Sequence, residues 1–130
     1  MEDVNTLPSE TGSIHIADEV VSIIAGLAAI EIAGVASMSG GIAGGIAEVL
    51  GKKNLSKGVK VEVGKEEAAV DLYMIVDYGS RIPDVSWEVQ ENVKKAIENM
   101  TGFRVIKVNV HVQGVLFAQE AGEEKDTKVK

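Results

Sequence analysis

A glycine-rich stretch that ends in two lysines is the part of this 130-residue chain that could bind a phosphate group. It runs GGIAGGIAEVLGKK over residues 40–53. A Walker A loop needs G-x-x-x-x-G-K-[ST], in which backbone amides and the lysine hold the phosphates and the hydroxyl holds magnesium. Here Ile46 stands where the first glycine is required, and Lys53 stands where the hydroxyl is required. We therefore interpret the stretch as a flexible joint, and a loop that orders against a partner is the alternative. The glycines of this joint are Gly40, Gly41, Gly44 and Gly45.

Two histidines could bind a metal ion or transfer protons. His15 and His111 each fall on the polar side of a predicted strand, and they would be neighbours if the first and last strands paired. With Asp71 or Asp77 they could complete a zinc site. Because no HxxxH or HExxH spacing fixes such a ligand set, the sequence predicts no metal site and no cofactor.

Nucleophilic catalysis needs a serine or cysteine beside a base, and the sequence shows neither arrangement. The chain has no cysteine, and none of its serines lies in a G-x-S-x-G elbow. One carboxylate has an unusual setting, since Glu31 stands among alanines and isoleucines. It either reaches water at a helix edge or is a buried carboxylate bound by a backbone group or a basic partner. We predict a protein that is not an enzyme.

Aromatic and arginine side chains in the middle of the chain could anchor a protein partner. Residues 85–100 carry an apolar stripe at helical spacing, and Trp87 lies nearly opposite its centre at about 100° per residue. The ring either folds under the loop of residues 78–83 or stands exposed as an anchor. Tryptophan, tyrosine and arginine are enriched at binding hot spots. The interaction candidates are therefore Trp87, Arg81 and Tyr78, extended by Tyr73 on the otherwise polar face of a strand.

Composition excludes several classes of partner. The net charge of −7 and pI near 4.8 oppose direct binding to nucleic acid or anionic lipid. The absence of cysteine is typical of a reducing cytosol, and the acidic N-terminus resembles no secretory signal. The apolar region of residues 20–47 is interrupted by Glu31 and by glycines, so we expect no membrane span and a cytoplasmic location.

These candidate residues must be positioned by strands and helices that the periodicity predicts. Apolar residues alternate with polar ones in residues 13–16, 59–63, 70–78 and 106–113, which indicates four half-buried strands. Two helices are predicted, over residues 18–33 and 85–100, to cover the dry face of the sheet. The fold class is α+β, with a small mixed or antiparallel sheet of about four strands and two main helices on one face. We expect one domain over residues 12–117, between disordered tails of residues 1–11 and 118–130.

The chain resembles the alkaline shock protein family of Gram-positive bacteria. The resemblance rests on GSIHI at residues 12–16, AGVA at 33–36, KGVKV at 57–61, YGSRIP at 78–83, WEVQ at 87–90 and VNVHVQGV at 108–115. It implies a small, acidic, non-enzymatic cytoplasmic protein of cell-envelope homeostasis and alkaline stress. It also implies partners: some members are held at the membrane by an anchoring protein, and some are linked to fatty-acid synthesis, including acetyl-CoA carboxylase.

The function expected from the sequence and the resemblance together is binding or scaffolding in the envelope stress response and in lipid homeostasis. Such a protein would act by self-association as a homo-oligomer or by contact with a protein partner. The alternative is a small-ligand protein that holds an acyl group in an apolar slot lined by Ile23, Leu27 and Val110. An enzyme would need Glu31, His15 or His111 to converge in a cleft.

Overall fold

The computed structural model describes residues 6–9, 11–39 and 57–117, which form six strands and two helices. In chain order they are β1 (Thr6–Ser9), β2 (Gly12–His15), α1 (Asp18–Ile30), β3 (Val35–Met38), β4 (Val59–Val63), β5 (Glu67–Asp77), α2 (Ile82–Thr101) and β6 (Arg104–Leu116). β3 to β6 form one sheet, and the two helices pack against it and against each other. This confirms the predicted α+β class. The sheet is mixed, because β5 pairs antiparallel with β3 and β4 and parallel with β6.

The core lies between the helices and one face of the sheet. Every second residue of β5 is buried, from Ala68 to Val76, as the alternation predicts. Helix α2 contributes the buried stripe Val85, Val89, Val93 and Ile97. It ends at Gly102, whose φ of +84° is the left-handed conformation that glycine adopts without a Cβ clash. The opposite face of the sheet is covered by no element among the described residues, and we call it the open face.

The β5 strand has one continuous partner on one edge and a broken partner on the other. β6 runs along its whole length, whereas β3 pairs with residues 74–76 and β4 with residues 68–72. At the break, Ser39 N–H donates to Tyr73 O (2.7 Å) and Tyr73 N–H donates to Gly58 O (2.8 Å). β3 and β4 are therefore two pieces of one edge strand, and the chain leaves the sheet after Ser39 and returns by Gly58.

Gly58 makes this junction close-packed. Its φ is +79°, and a Cβ on it would lie 2.9 Å from both Ser39 O and Tyr73 O. Only glycine fits such a position without moving the backbone of a neighbouring strand. The predicted joint residues Gly40, Gly41, Gly44 and Gly45 lie outside the described residues, so the joint remains a prediction.

Two sequence expectations differ from the structure at the N-terminal end. The strand predicted over residues 13–16 does not join the main sheet, because β2 pairs with β1 in a separate hairpin and β3 takes its place in the sheet. The domain also begins earlier than residue 12, since β1 occupies residues 6–9, which were assigned to a disordered tail. The short segment Thr6–Ser9 carries a proline and no alternation, and it is a strand only because β2 offers it a partner. Residues 1–5 and 118–130 lie outside the described residues.

Candidate interaction surfaces

The middle of the open face carries a set of side chains fixed against one another. The rings of Tyr73 and His111 stack with centroids 4.4 Å apart and 9° between their planes. Asp71 Oδ1 lies 3.1 Å from His111 Nε2 and accepts from Asn109 Nδ2 at 3.0 Å. The ammonium group of Lys60 stands 5.7 Å from the centroid of the tyrosine ring. We call these five residues the open-face cluster.

Strand register brings the open-face cluster together. In the parallel β5–β6 pair, Asp71 lies opposite Asn109 and Tyr73 opposite His111, while Lys60 of β4 lies opposite Asp71 on the other side. This register depends on a bulge, because the pairing shifts by one residue of β6 between residues 68 and 69 of β5. Without that extra residue the alternation would place valines of β6 beside Tyr73, since a one-residue slip exchanges the two faces of a strand.

The electrostatics of the open-face cluster favour an ionised Asp71. Its hydrogen bonds, first with His111 and then with Asn109, hold the pKa of the Asp71 carboxyl below its usual value. About two-fifths of the side-chain surface of His111 is exposed, 43%, so the imidazole is both held in place and accessible. A histidine fixed by a carboxylate is one part of an acid–base site. The hydroxyl of Ser39 donates to Gln113 Oε1 at 2.9 Å and not to His111. The arrangement presents fixed polar and aromatic groups for recognition.

The four predicted interaction residues lie in different parts of the described structure. Trp87 is 61% exposed on the outer side of α2, so it does not fold under the preceding loop. Arg81 precedes α2, and its Nε lies 3.1 Å from Asp84 Oδ2. Tyr78, at the end of β5, is 69% exposed, with its ring 4.9 Å from that of Phe117. Tyr73 lies on the open face, on the other side of the sheet from α2. Whether these residues bind a partner stays a prediction.

Glu31 is exposed, so the interpretation as a buried carboxylate is wrong. α1 ends one residue earlier, and Glu31 Oε1 accepts from Asn92 Nδ2 at 3.0 Å while the same amide donates to Ala28 O at 2.8 Å. The residue therefore connects the end of α1 to α2 at the surface. It lies on the helix side of the sheet, whereas His111 lies on the open face, so the two do not converge in a cleft.

His15 does not become a neighbour of His111, because β2 pairs with β1 and β6 pairs with β5. Within residues 6–9, 11–39 and 57–117 no group of three His, Cys, Asp or Glu side chains is arranged to hold a metal ion. No helix in the same ranges is long and apolar enough to cross a membrane.

The predicted acyl slot has no counterpart among three cavities on the described part of the chain. These lie at the edges and ends of the sheet, and each has charged residues in its lining. None of the three is lined by Ile23, Leu27 or Val110. Leu27 is itself 41% exposed. The geometry therefore lends the small-ligand alternative no support.

Sequence reasoning missed Asn109 and Lys60 and considered Asp71 and His111 only as metal ligands. The alternation places all four on polar strand faces, which was the available signal. Which polar residues become neighbours depends on the strand order and on the bulge in β6, and neither can be deduced from period-2 alternation.

The fold and these surfaces define a small two-layer α+β domain whose distinctive side chains lie on exposed faces of its described part. The chain belongs to the alkaline shock protein 23 family, whose described role is a cell envelope-related function and whose model matches residues 6–117. The resemblance seen in the sequence is thereby confirmed.

Relatives of this chain occur in Bacillus subtilis and Streptococcus pyogenes. YqhY of Bacillus subtilis is 42% identical over 112 residues, which cover 86% of this chain and 83% of that protein. YloU of the same organism is 39% identical over 84% of this chain and 92% of YloU. A Streptococcus pyogenes homologue of the stress response regulator gls24 is 30% identical over 88% of this chain and 64% of that protein. Among solved structures, the MamM CTD is similar in fold only, with a TM-score of 0.47 and 15% identity over 75% of this chain and 98% of that domain.

Proposed function

We propose that this chain is a non-enzymatic regulatory or scaffolding protein of the cell envelope, which acts by binding other proteins through the open face of its sheet. The observation that carries the proposal is the Tyr73–His111 stack, fixed by Asp71 on a face that no described element covers. A ring that is already held in one orientation loses little conformational entropy on binding. Tyrosine is also among the residues that dominate binding energy at interfaces.

The charges of the open face fit a protein partner better than a nucleic acid or an anionic membrane. Lysine, aspartate, asparagine and histidine alternate within the open-face cluster, so it offers both donors and acceptors and no uniform positive field. A chain with a net charge of −7 is repelled by polyanions. Mixed polar groups around an aromatic centre are the usual composition of a non-obligate protein interface.

The process we propose is envelope stress response with a link to lipid homeostasis. The family description and the gls24 relatives support the envelope and stress parts. The link to fatty-acid synthesis, with acetyl-CoA carboxylase or a membrane-anchored protein as the partner, is supported only by the resemblance. We propose a cytoplasmic location, a membrane association made through such a partner, and self-association into a homo-oligomer.

The test is affinity capture from native cell extract, separated into membrane and cytosolic fractions, with wild-type protein and Tyr73→Ala. The matched control is Glu88→Ala, an exposed position on α2, on the other side of the sheet. We expect Tyr73→Ala to lose a protein that wild type and the control both retain, with thermal melting showing that all three are folded. Equal recovery of every partner by Tyr73→Ala would contradict the proposal. The fraction that holds the lost protein distinguishes a membrane anchor from a soluble enzyme.

A further inference from the structure

Side chains from α2 form hydrogen bonds with backbone groups along part of the outer edge of β6. Gln90 Nε2 donates to Val108 O at 2.9 Å, and Glu98 Oε2 accepts from Val105 N–H at 3.0 Å. The hydrogen bond from Val105 N–H, together with the one from Lys94, holds the pKa of the Glu98 carboxyl below its usual value. Side chains from the helix thus satisfy edge groups that no strand in the described part of the chain pairs with.

Farther along β6 the edge lacks such partners. Because Val108 O is turned away from β5 and backbone direction alternates along a strand, Val110 and Val112 also direct their N–H and C=O groups outward. No hydrogen-bond partner for these outward groups occurs among residues 6–9, 11–39 and 57–117. The valine side chains themselves are half-buried on the dry face. The edge therefore offers a row of donors and acceptors beside an apolar strip.

The helix layer is wider than the sheet that it covers. Two packed helices span about 20 Å, at roughly 10 Å each. The main sheet has three strand columns, which span about 14 Å at roughly 4.8 Å each. Since α2 packs against the outermost column, β6, its outer flank extends past the edge of the sheet. A groove lies under this overhang, lined by Gln90, Glu91, Lys94 and residues 105–108.

Helical spacing places Trp87 on the same flank of α2 as Gln90, level with the part of the β6 edge that lacks hydrogen-bond partners among the described residues. Trp87 lies one helical turn from Gln90, since residues three apart are neighbours on a helix. α2 runs antiparallel to β6, because Gln90 contacts Val108 and Glu98 contacts Val105. One turn, about 5 Å, therefore places Trp87 roughly level with Val110. This accounts for a tryptophan that the helix core does not use.

We propose that an extended segment of a partner protein adds to the sheet as a fourth strand column along residues 108–112 of β6, where the alternation is uninterrupted. The proposal rests on the proposed function and names the conformation of the bound partner. Alternate apolar residues of the segment would lie under Trp87, beside the half-buried valines. The intervening polar residues would lie on the open face next to Asn109 and His111, and a carboxylate there would complement Lys107. One bound strand would thus contact both the exposed tryptophan and the open-face cluster.

A second copy of β6 does not fit the same edge. A symmetric antiparallel pair would place the two α2 helices over adjacent strands, with axes only about 5 Å apart. Packed helices need about 8–10 Å. The occupant is therefore a strand without a helix on it, and self-association of this chain must use another surface.

The test uses a synthetic peptide, VEVTVEV, and the isotope-labelled full chain. The valines of this peptide would lie on the dry face of the sheet, and its glutamates would lie on the open face. Two control peptides carry N-methyl groups, one on every valine and the other on the intervening residues. In an antiparallel pair the valine amides point at β6, and in a parallel pair the intervening amides do. We expect the parent peptide to shift the amide signals of Val110 and Val112 and the indole signal of Trp87. The control whose N-methyl groups point away from β6 should cause the same shifts. The control whose N-methyl groups point at β6 should bind at least tenfold more weakly.

Two protein variants complete the test. Val112→Pro removes an outward N–H and no hydrogen bond to β5, and it keeps an apolar side chain at this half-buried position, so we expect a folded protein that does not bind the peptide. Trp87→Ala, at an exposed position, should fold normally and bind several-fold more weakly. Equal affinity for all three peptides, or unchanged binding by Val112→Pro, would overturn the inference. If Tyr73→Ala loses its partner from cell extract while Val112→Pro retains it, the proposed function stands and the added strand does not.

Discussion

The break between β3 and β4 depends on a single glycine, and replacing it gives a sharp prediction. Gly58→Ala forces an L side chain into a φ of +79° and places its Cβ 2.9 Å from two backbone oxygens, Ser39 O and Tyr73 O. The positive φ alone costs about 1–2 kcal/mol. The overlap adds about 1–3 kcal/mol, because neither oxygen can move without shifting a paired strand. We expect the free energy of unfolding to fall by roughly 2–5 kcal/mol in total.

The matched control is Gly79→Ala, which has a φ of +97° but nothing within 4 Å of the added Cβ. It should lose only the conformational part, about 1–2 kcal/mol. Urea unfolding of both variants and wild type, followed by circular dichroism, measures the two losses under one set of conditions. If Gly58→Ala destabilises the protein no more than Gly79→Ala, the close approach of the two strand pieces at this junction is refuted.

Three further predictions concern stability. Thr101→Val removes a buried hydroxyl that accepts from Phe103 N–H at 3.0 Å, so the free energy of unfolding in urea should fall by about 1–3 kcal/mol; no loss would mean that the amide finds another partner. Glu98→Gln should destabilise the protein at pH 7, where the lowered pKa keeps the carboxylate ionised on Val105 N–H. That deficit should shrink in urea titrations as the pH falls from 4.5 through the lowered pKa, and a deficit independent of pH would contradict this origin. Ser37→Ala removes a buried hydroxyl oxygen without a hydrogen-bond partner among the described residues, so its melting temperature should equal or exceed that of wild type.

The sequence predicted the elements that carry strong periodicity. β5 alternates over 11 residues and α2 repeats an aliphatic residue every fourth position from Val85 to Ile97, so burial follows directly from the pattern. β3 was missed because Val35–Met38 is only four residues long and follows an apolar helix after a short turn. From those residues alone, a short strand cannot be told from one more helical turn. The turn at Gly34, with a φ of +104°, determines that they form a strand.

The interaction surfaces were predictable only in part. The angle of Trp87 on the helix placed its ring outside the apolar stripe, but it left open whether the ring folds under the preceding loop or is exposed. Tyr73 was predicted as an aromatic residue on an otherwise polar face. The stack of Tyr73 on His111 requires a parallel neighbour and a bulge, which are tertiary features. The same holds for the β6 edge, because no local pattern tells which strand lies outermost in a sheet.

The broken edge strand has a consequence for how this chain can change in length. Residues 39 and 58 are held beside each other by the sheet, so a flexible insertion between them would close a loop whose ends are already fixed. The entropy of closing such a loop grows only with the logarithm of its length, and doubling it costs about 0.6 kcal/mol. Insertions at this point therefore cost far less than insertions elsewhere in the strands. A peptide tag or a small domain placed there would leave the sheet, the open-face cluster and the β6 edge in register.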